Sequence, residues 1–529
     1  MPKTLVHALL ETTKGMPDSP ALYYFDTEWR YRELLDRVAR AAKGLKRLGV
    51  GPGDRVGLML QNVPSSVVLH FAVWALGGAV VPINIMMTSR ELSHQVEDAG
   101  VRVLAAMASV ADRVRALPPL SHVILVDDRE DFRGREPAWL PPSSPTPTDA
   151  LSYRELLAER PLPIGDFAPV NPSDLALLAY TSGTTGVPKG AMNTHRQILH
   201  NVDVYETLAK VDPTTVNVAF APLFHITGAV AGLATAVTLG QPLVLMYRFD
   251  AAVAAEAIQR RRASFTVGAI TTYLAILSLP ALDHFDLSSL THAYSGGAPV
   301  AAATVRAFYD RTGITIQNVY GLTESANGLI MVPWGAEGPI DPESGALSIG
   351  IPGDGIEASI RDLAHPETLL SSGQLGELAL RGPSLISGYW NNPKANRESF
   401  VDGWFLTGDV ARMTGEGWIF IVDRKKDVII SAGNKVWPRD VEDALYQHPG
   451  VREAVVVGQP DPYRGEAVTA YVVRSPEGSD LTEEALSAFL RQHLSAYKIP
   501  RRIHWVDAIP KTASGKFLRR AFREREAQR

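Results

Sequence analysis

The segment Tyr180 to Gly190, YTSGTTGVPKG, concentrates what is needed to hold a polyphosphate. Its glycines (Gly183 and Gly186 among them) let the backbone approach a ligand, Thr181, Ser182, Thr184 and Thr185 carry hydroxyl donors, and Lys189 brings a cation. An ordinary Gly/Thr turn is the plain alternative. The order Gly-x-x-x-x-Gly-Lys-Ser/Thr is absent, so this is not a Walker-type loop. Glycine strings at Gly49 to Asp54 and Gly350 to Gly355 lack the Gly-x-Gly-x-x-Gly order that a dinucleotide fold demands, and read as turns.

Carboxylates supply the complementary chemistry. In YGLTES, Tyr320 to Ser325, Glu324 could ligate magnesium alone, because that ion needs only one or two carboxylates beside nucleotide phosphates; Thr323 could meet a phosphate. Taken singly, Glu324 equally reads as a solvated carboxylate at a helix start. GWFLTGD ends in Asp409 and DRKKD opens with Asp423 and Arg424, acceptors and donors suited to ribose hydroxyls, although each is also an ordinary turn sequence. PKTASGK sets Lys516 after a glycine; such a lysine can neutralise charge in a phosphoryl-transfer transition state, or be no more than a solvated tail residue.

The elements that must position these groups alternate along the chain. RELLDRVARAAKGLKRLGV followed by DRVGLML is the pattern of helices on a largely parallel sheet, predicting a first α/β lobe over about the first 130 residues. A second α/β lobe is expected from Asp174 to Val332, with LALLAY as a strand, TSGTTGVPKG as a loop and a helix from near THRQ. Short strands between Gly and Pro turns from Leu347 to Ile421 predict a β-rich subdomain. After Asp427, a mixture of helices and strands predicts a separate small α+β domain.

Composition narrows the class. The 529 residues exceed one typical domain, and the formal charge of −5 with no basic stripe argues against a nucleic-acid partner. There is no cysteine, so any thiol chemistry uses a foreign thiol. The uncharged run Ile226 to Met246 is broken by Gly240, Gln241 and Pro242 into a small-residue helix and a short strand, which argues against an integral membrane segment. The N-terminus lacks a secretory core, and a cytoplasmic location is the expectation.

Together and in this order, the segments resemble the ANL superfamily of adenylate-forming enzymes, which includes acyl- and aryl-CoA synthetases, peptide-synthetase adenylation domains and firefly luciferases. The resemblance spans nearly the whole chain. It implies an N-terminal AMP-binding domain over 1–425 and a mobile C-terminal domain over 426–529, with the hinge at Lys426. It assigns Thr181, Ser182, Gly183, Thr184, Thr185, Gly186 and Lys189 to ATP phosphates. Gly296, Gly297 and Ala298 would border adenine and the acyl pocket, Tyr320 and Gly321 would join the nucleotide site, and Asp409 and Arg424 would hold ribose. Glu324 becomes the metal ligand, with Thr323 beside it; His225 stands near the reacting carboxylate, and Lys516 bridges carboxylate and α-phosphate. Gly433 and Lys435 would serve coenzyme A after domain rotation.

The implied substrates are ATP, coenzyme A and a small-molecule carboxylic acid, with Mg2+ as cofactor. Gly228, Ala229, Gly232, Thr272 and Gly328 lie in apolar stretches expected to line the acyl pocket, which favours an uncharged tail. The small residues near His225 either open a tunnel or permit close helix packing. Amino-acid-activating relatives carry an Asp shortly after the His225 position, and this chain has none there. The expected reaction is ATP-dependent acyl-CoA synthesis through acyl-AMP on a medium- or long-chain fatty acid. An aromatic or polycyclic acid, a carrier-protein or amine acceptor, and a catalytically silent binder are the alternatives; monomer and homodimer are both open.

Overall fold

The computed structural model describes residues 3–115, 117, 120–134, 137–143, 150–181, 188–298, 300–461, 463–512, 517–519 and 521–523. Two α/β sheets, a β-rich sheet and a C-terminal α+β unit carry the strands among these residues. The mixed α/β class, with a large N-terminal part and a small C-terminal domain, is the one expected.

The sheets interleave in sequence. Strands Arg55–Met59, Ala79–Pro82, Val103–Met107 and His122–Val126 form a parallel sheet, and Leu175–Thr181 joins it beside Ala79–Pro82. Conversely, Pro20–Tyr24 pairs in parallel with Leu243–Leu245, Leu22 facing Leu243, in the sheet that also contains Phe265–Gly268, His292–Ser295 and Ile316–Leu322. The division into lobes at Asp174 is therefore corrected: alternation along the chain reveals which elements form, while pairing depends on contacts between distant segments.

Each sheet changes from parallel to antiparallel pairing at a strand that carries candidate chemistry. Leu175–Thr181 turns back through Lys189–Thr194, and Ile316–Leu322 turns back through Asn327–Met331. The predicted passage from loop directly to helix is also corrected. Lys189 begins a strand opposite Thr181, and only then does Thr194 cap the helix His195–Leu208, its hydroxyl accepting from Gln197 N while Gln197 reciprocates.

The main core surrounds the helix Pro64–Ala75, whose residues are all buried, as expected of a helix apolar around its circumference. From it, Trp74 donates its indole N–H to Ala176 O at 2.8 Å, anchoring the strand that leads to Thr181. The run after His225 forms a π-helical stretch, Gly228–Ala234, continued by the helix Thr235–Leu239 and the strand Leu243–Leu245. No described helix is long and apolar enough to cross a membrane.

The β-rich sheet ends with Ile419–Arg424, paired to Trp404–Met413. Beyond it, Ile429–Ser431, Asn434–Val436, Val451–Asp461, Gly465–Arg474 and Arg502–Trp505 make a sheet with its own core, in which Val441, Leu445, Leu486 and Leu490 are buried.

Candidate active site

Thr181 and Lys189 face one another as the last pair of their hairpin, next to the segment that connects the two strands, both half-buried. Ser182, Gly183, Thr184, Thr185 and Gly186 lie outside the described residues. The Lys189 ammonium sits 5.1 Å from the centroid of the Tyr389 ring, a cation–π distance.

Tyr389 also donates its hydroxyl to Glu324 Oε1 at 2.8 Å. Glu324 belongs to the short turn Thr323–Ser325 between two antiparallel strands. That turn is held from several sides: Asn201 Nδ2 donates to Ser325 O at 2.8 Å, Ile386 N donates to Glu324 O at 2.8 Å, and the Ser325 hydroxyl accepts from Leu322 N at 2.8 Å. Ala326 and Asn327 follow with φ of 52° and 102°, left-handed conformations that only a well-determined surrounding sustains in non-glycine residues. Asn327 Nδ2 secures its own position by donating to the Tyr205 hydroxyl at 2.8 Å.

Glycine is required at Gly321, where a Cβ would lie 1.8 Å from Asn327 O. At Gly328 a Cβ would meet the buried Tyr205 hydroxyl at 2.7 Å, so this residue packs against Tyr205. Gly296 lies against Val319 O, 2.6 Å from a notional Cβ, and Gly297 turns with φ of 78°; Ala298 follows it.

Tyr320, Asp409 and Arg424 come together. The Tyr320 hydroxyl donates to Asp409 Oδ2 at 2.6 Å, and Arg424 Nε lies 3.2 Å from Asp409 Oδ1 across facing strand positions. Asp409 is buried, whereas Arg424 keeps 44% of its side chain exposed and so can offer donors outward. Burial first, and then the Asp409 carboxylate, push the Tyr320 hydroxyl well above the usual phenol range, keeping it a donor. The neighbouring Asp423 does something else: its carboxylate accepts from the amides of Arg424 at 2.7 Å and Arg439 at 2.9 Å, so it is spent on backbone rather than offered to ribose.

His225 is half-buried and its Nδ1 accepts from Thr227 N at 3.3 Å, which puts the neutral ring's proton on Nε2. The two readings of the small residues separate by position. A Cβ on Gly228 would be 2.1 Å from Pro222 O, so this glycine serves close packing. At Gly232 the nearest atom would be 3.8 Å away, and Ala229 is buried beside it. The Thr272 hydroxyl donates to Ala269 O at 2.7 Å at the start of its helix.

Gly433 and Lys435 occupy a hairpin whose turn, Ala432 and Gly433, has φ of 49° and 80°, the double left-handed form of a two-residue β-turn. Lys435 is exposed, as is Lys426 just beyond the strand Ile419–Arg424. Lys516 lies outside the described residues, which resume at Phe517, paired with Lys511.

Sequence reasoning missed Tyr389, Asn201 and Tyr205. Their partners are distant in the chain, by 65 residues for Tyr389 and Glu324, and no local pattern marks them. The tyrosine of SGYW differs from neighbouring aromatics only through what it touches.

Lys189 lies opposite Thr181 at the C-terminal end of Leu175–Thr181, and Glu324 follows the C-terminal end of Ile316–Leu322 in another sheet, the location where open α/β sheets bind ligands. Residues 9–390 match the family model described as AMP-binding enzyme, and 440–516 match the AMP-binding enzyme C-terminal domain. The chain is 33% identical to a long-chain-fatty-acid–CoA ligase of Bacillus subtilis (strain 168), with 99% of this chain and 95% of that one covered. It is 36% identical to a feruloyl-CoA synthase of Amycolatopsis sp, over 96% of each chain. Among solved structures, the anthranilate CoA ligase AuaEII in complex with anthranoyl-AMP superimposes with a TM-score of 0.87 at 27% identity, covering 99% of this chain and 97% of that one. With both domain models matched in order and likeness running from end to end, the chain belongs to the AMP-binding enzyme family, within the ANL superfamily of adenylate-forming enzymes.

Proposed function

We propose that this protein is an ATP-dependent, AMP-forming acid:CoA ligase acting on a carboxylic acid with an uncharged, apolar tail, a medium- or long-chain fatty acid first. The observation that carries the reading is the convergence of Lys189 and Glu324 on one tyrosine, beside the Tyr320–Asp409–Arg424 group. A phosphate-side cation, a metal-side carboxylate and a ribose-side carboxylate then flank one nucleotide.

Thr181, Lys189 and the hydroxyl-rich residues between them would bind the phosphates, and Asp409 would accept from ribose. Glu324 fits magnesium, since Oε1 takes the Tyr389 hydrogen bond while Oε2 takes none among the described residues. When bound, that ion supplies positive charge against the departing pyrophosphate. The substrate carboxylate attacks the α-phosphorus, an acyl–phosphate bond forms and pyrophosphate leaves; Lys516 would steady the charge at that centre. The CoA thiolate then attacks the acyl carbonyl, forming the thioester and expelling AMP. Rotation about Lys426 between the steps would bring Gly433 and Lys435 to the thiol.

An uncharged tail is favoured by the apolar, buried stretch Gly228–Ala234. The long-chain-fatty-acid ligase relative supports an aliphatic chain; the feruloyl and anthranilate ligases support an aromatic acid as the second reading. The test is pyrophosphate release with ATP and magnesium over a panel of fatty and aromatic acids, with and without CoA, following acyl-CoA by mass. CoA-dependent turnover on fatty acids is expected. Pyrophosphate exchange without acyl-CoA would move the acceptor to a carrier protein or amine, and silence throughout would overturn the reading.

A further inference from the structure

Tyr389 is 5% exposed and lies between the two groups that the ligase reading assigns to phosphates and metal. Its segment is stitched to both. Ile386 N donates to Glu324 O at 2.8 Å, and at the far end Trp390 N donates to Gly190 O at 2.8 Å, with Tyr389 bridging Ala191. Asn396 Oδ1 accepts from Tyr389 N at 2.6 Å, fixing the residue from behind. The chain from Ile386 to Trp390 thus clips the Glu324 turn to the Lys189 strand, and among the described residues Tyr389 is the side chain that reaches both functional groups.

We infer that Tyr389 is a positioning residue for metal-dependent nucleotide binding: its hydroxyl fixes the Glu324 carboxylate through Oε1 so that Oε2 faces a magnesium ion, while its ring seats the Lys189 ammonium. This rests on the ligase reading. A carboxylate with one oxygen hydrogen-bonded has lost the freedom to rotate away from its ion, and partners of this kind typically change metal affinity by about 10- to 100-fold when removed.

Two variants separate the hydroxyl from the ring. Tyr389→Phe keeps the ring under Lys189 and removes the donor; Tyr389→Leu removes both. ATP binding is measured by calorimetry on the full-length protein, with magnesium and with a chelator, alongside the magnesium dependence of pyrophosphate release. For Tyr389→Phe, the magnesium half-saturation should rise about tenfold or more, while ATP binding in chelator stays within about threefold of wild type. Tyr389→Leu should weaken binding under both conditions. An unchanged magnesium half-saturation in Tyr389→Phe, or equal weakening with and without the metal, would overturn the inference. If wild type itself shows no magnesium-dependent ATP binding, the ligase reading falls and takes the inference with it.

Discussion

Asp423 accepts a 2.9 Å hydrogen bond from the backbone amide of Arg439, so one carboxylate ties the last strand of the β-rich sheet to the first helix beyond Lys426. Arg439 answers from the other direction, donating Nη1 to Ile421 O at 2.6 Å. Around them lie Asp427, Glu442 and Asp443 with Arg519 and Arg523, a partly buried charge cluster that gathers both ends of the C-terminal domain. Asp423→Asn cannot accept both amides, and an unsatisfied buried donor costs about 1–3 kcal/mol. The variant should cleave faster near Lys426 under limited proteolysis and lose thermal stability; identical cleavage rates would show that the bond does not restrain this junction.

Glu442 gives the cluster a pH signature. Burial outweighs Arg519 and raises its carboxyl to about 7, compared with about 4.3 in an unfolded chain. The folded state therefore holds this proton more tightly, and the carboxyl's contribution to stability falls as pH rises from about 4 to 7. Glu442→Gln cannot titrate, so its stability relative to wild type should increase across that window and level off above it. Melting temperatures of both proteins at each pH check this, and a pH-independent difference would assign the titration elsewhere.

Asp409 should matter for nucleotide affinity. Asp409→Asn keeps an acceptor for Tyr320 and removes the charge that holds Arg424, and hydrogen bonds to charged groups are worth about 1.5–3 kcal/mol. The ATP KM should rise about 10- to 100-fold. An unchanged KM would remove Asp409 from the ribose site.

Lys516→Ala should lower acid-dependent pyrophosphate release about 100- to 1000-fold, the scale for loss of one transition-state donor. Conversion of premade acyl-AMP and CoA to thioester should survive. Equal loss of both half-reactions would contradict the assignment of the two steps to different domain positions.

Gly228 and Gly232 should behave differently. Gly228→Ala drives a Cβ into Pro222 O and should destabilise the fold by about 1–3 kcal/mol. Gly232→Ala has room, so it should fold normally and shift preference toward shorter acids if this stretch lines the acyl pocket. Unaltered chain-length selectivity in the folded variant would place the pocket elsewhere.

The sequence by itself determined the class of chemistry and the kinds of element: a glycine- and hydroxyl-rich segment with Lys189, a carboxylate in YGLTES, alternating helices and strands, and a distinct C-terminal α+β unit. These are legible because they depend on local composition and periodicity. Tertiary structure decided which strands share a sheet, that Lys189 starts a strand rather than ending a loop, and that Asp409 faces Tyr320 and Arg424 while Asp423 is consumed by backbone amides. It also revealed Tyr389, set between Lys189 and Glu324. The reason is physical: a carboxylate's role follows from which donors surround it, and apart from the Arg424 amide next to Asp423 those donors come from segments tens of residues away, brought together only when the sheets pair and the core closes.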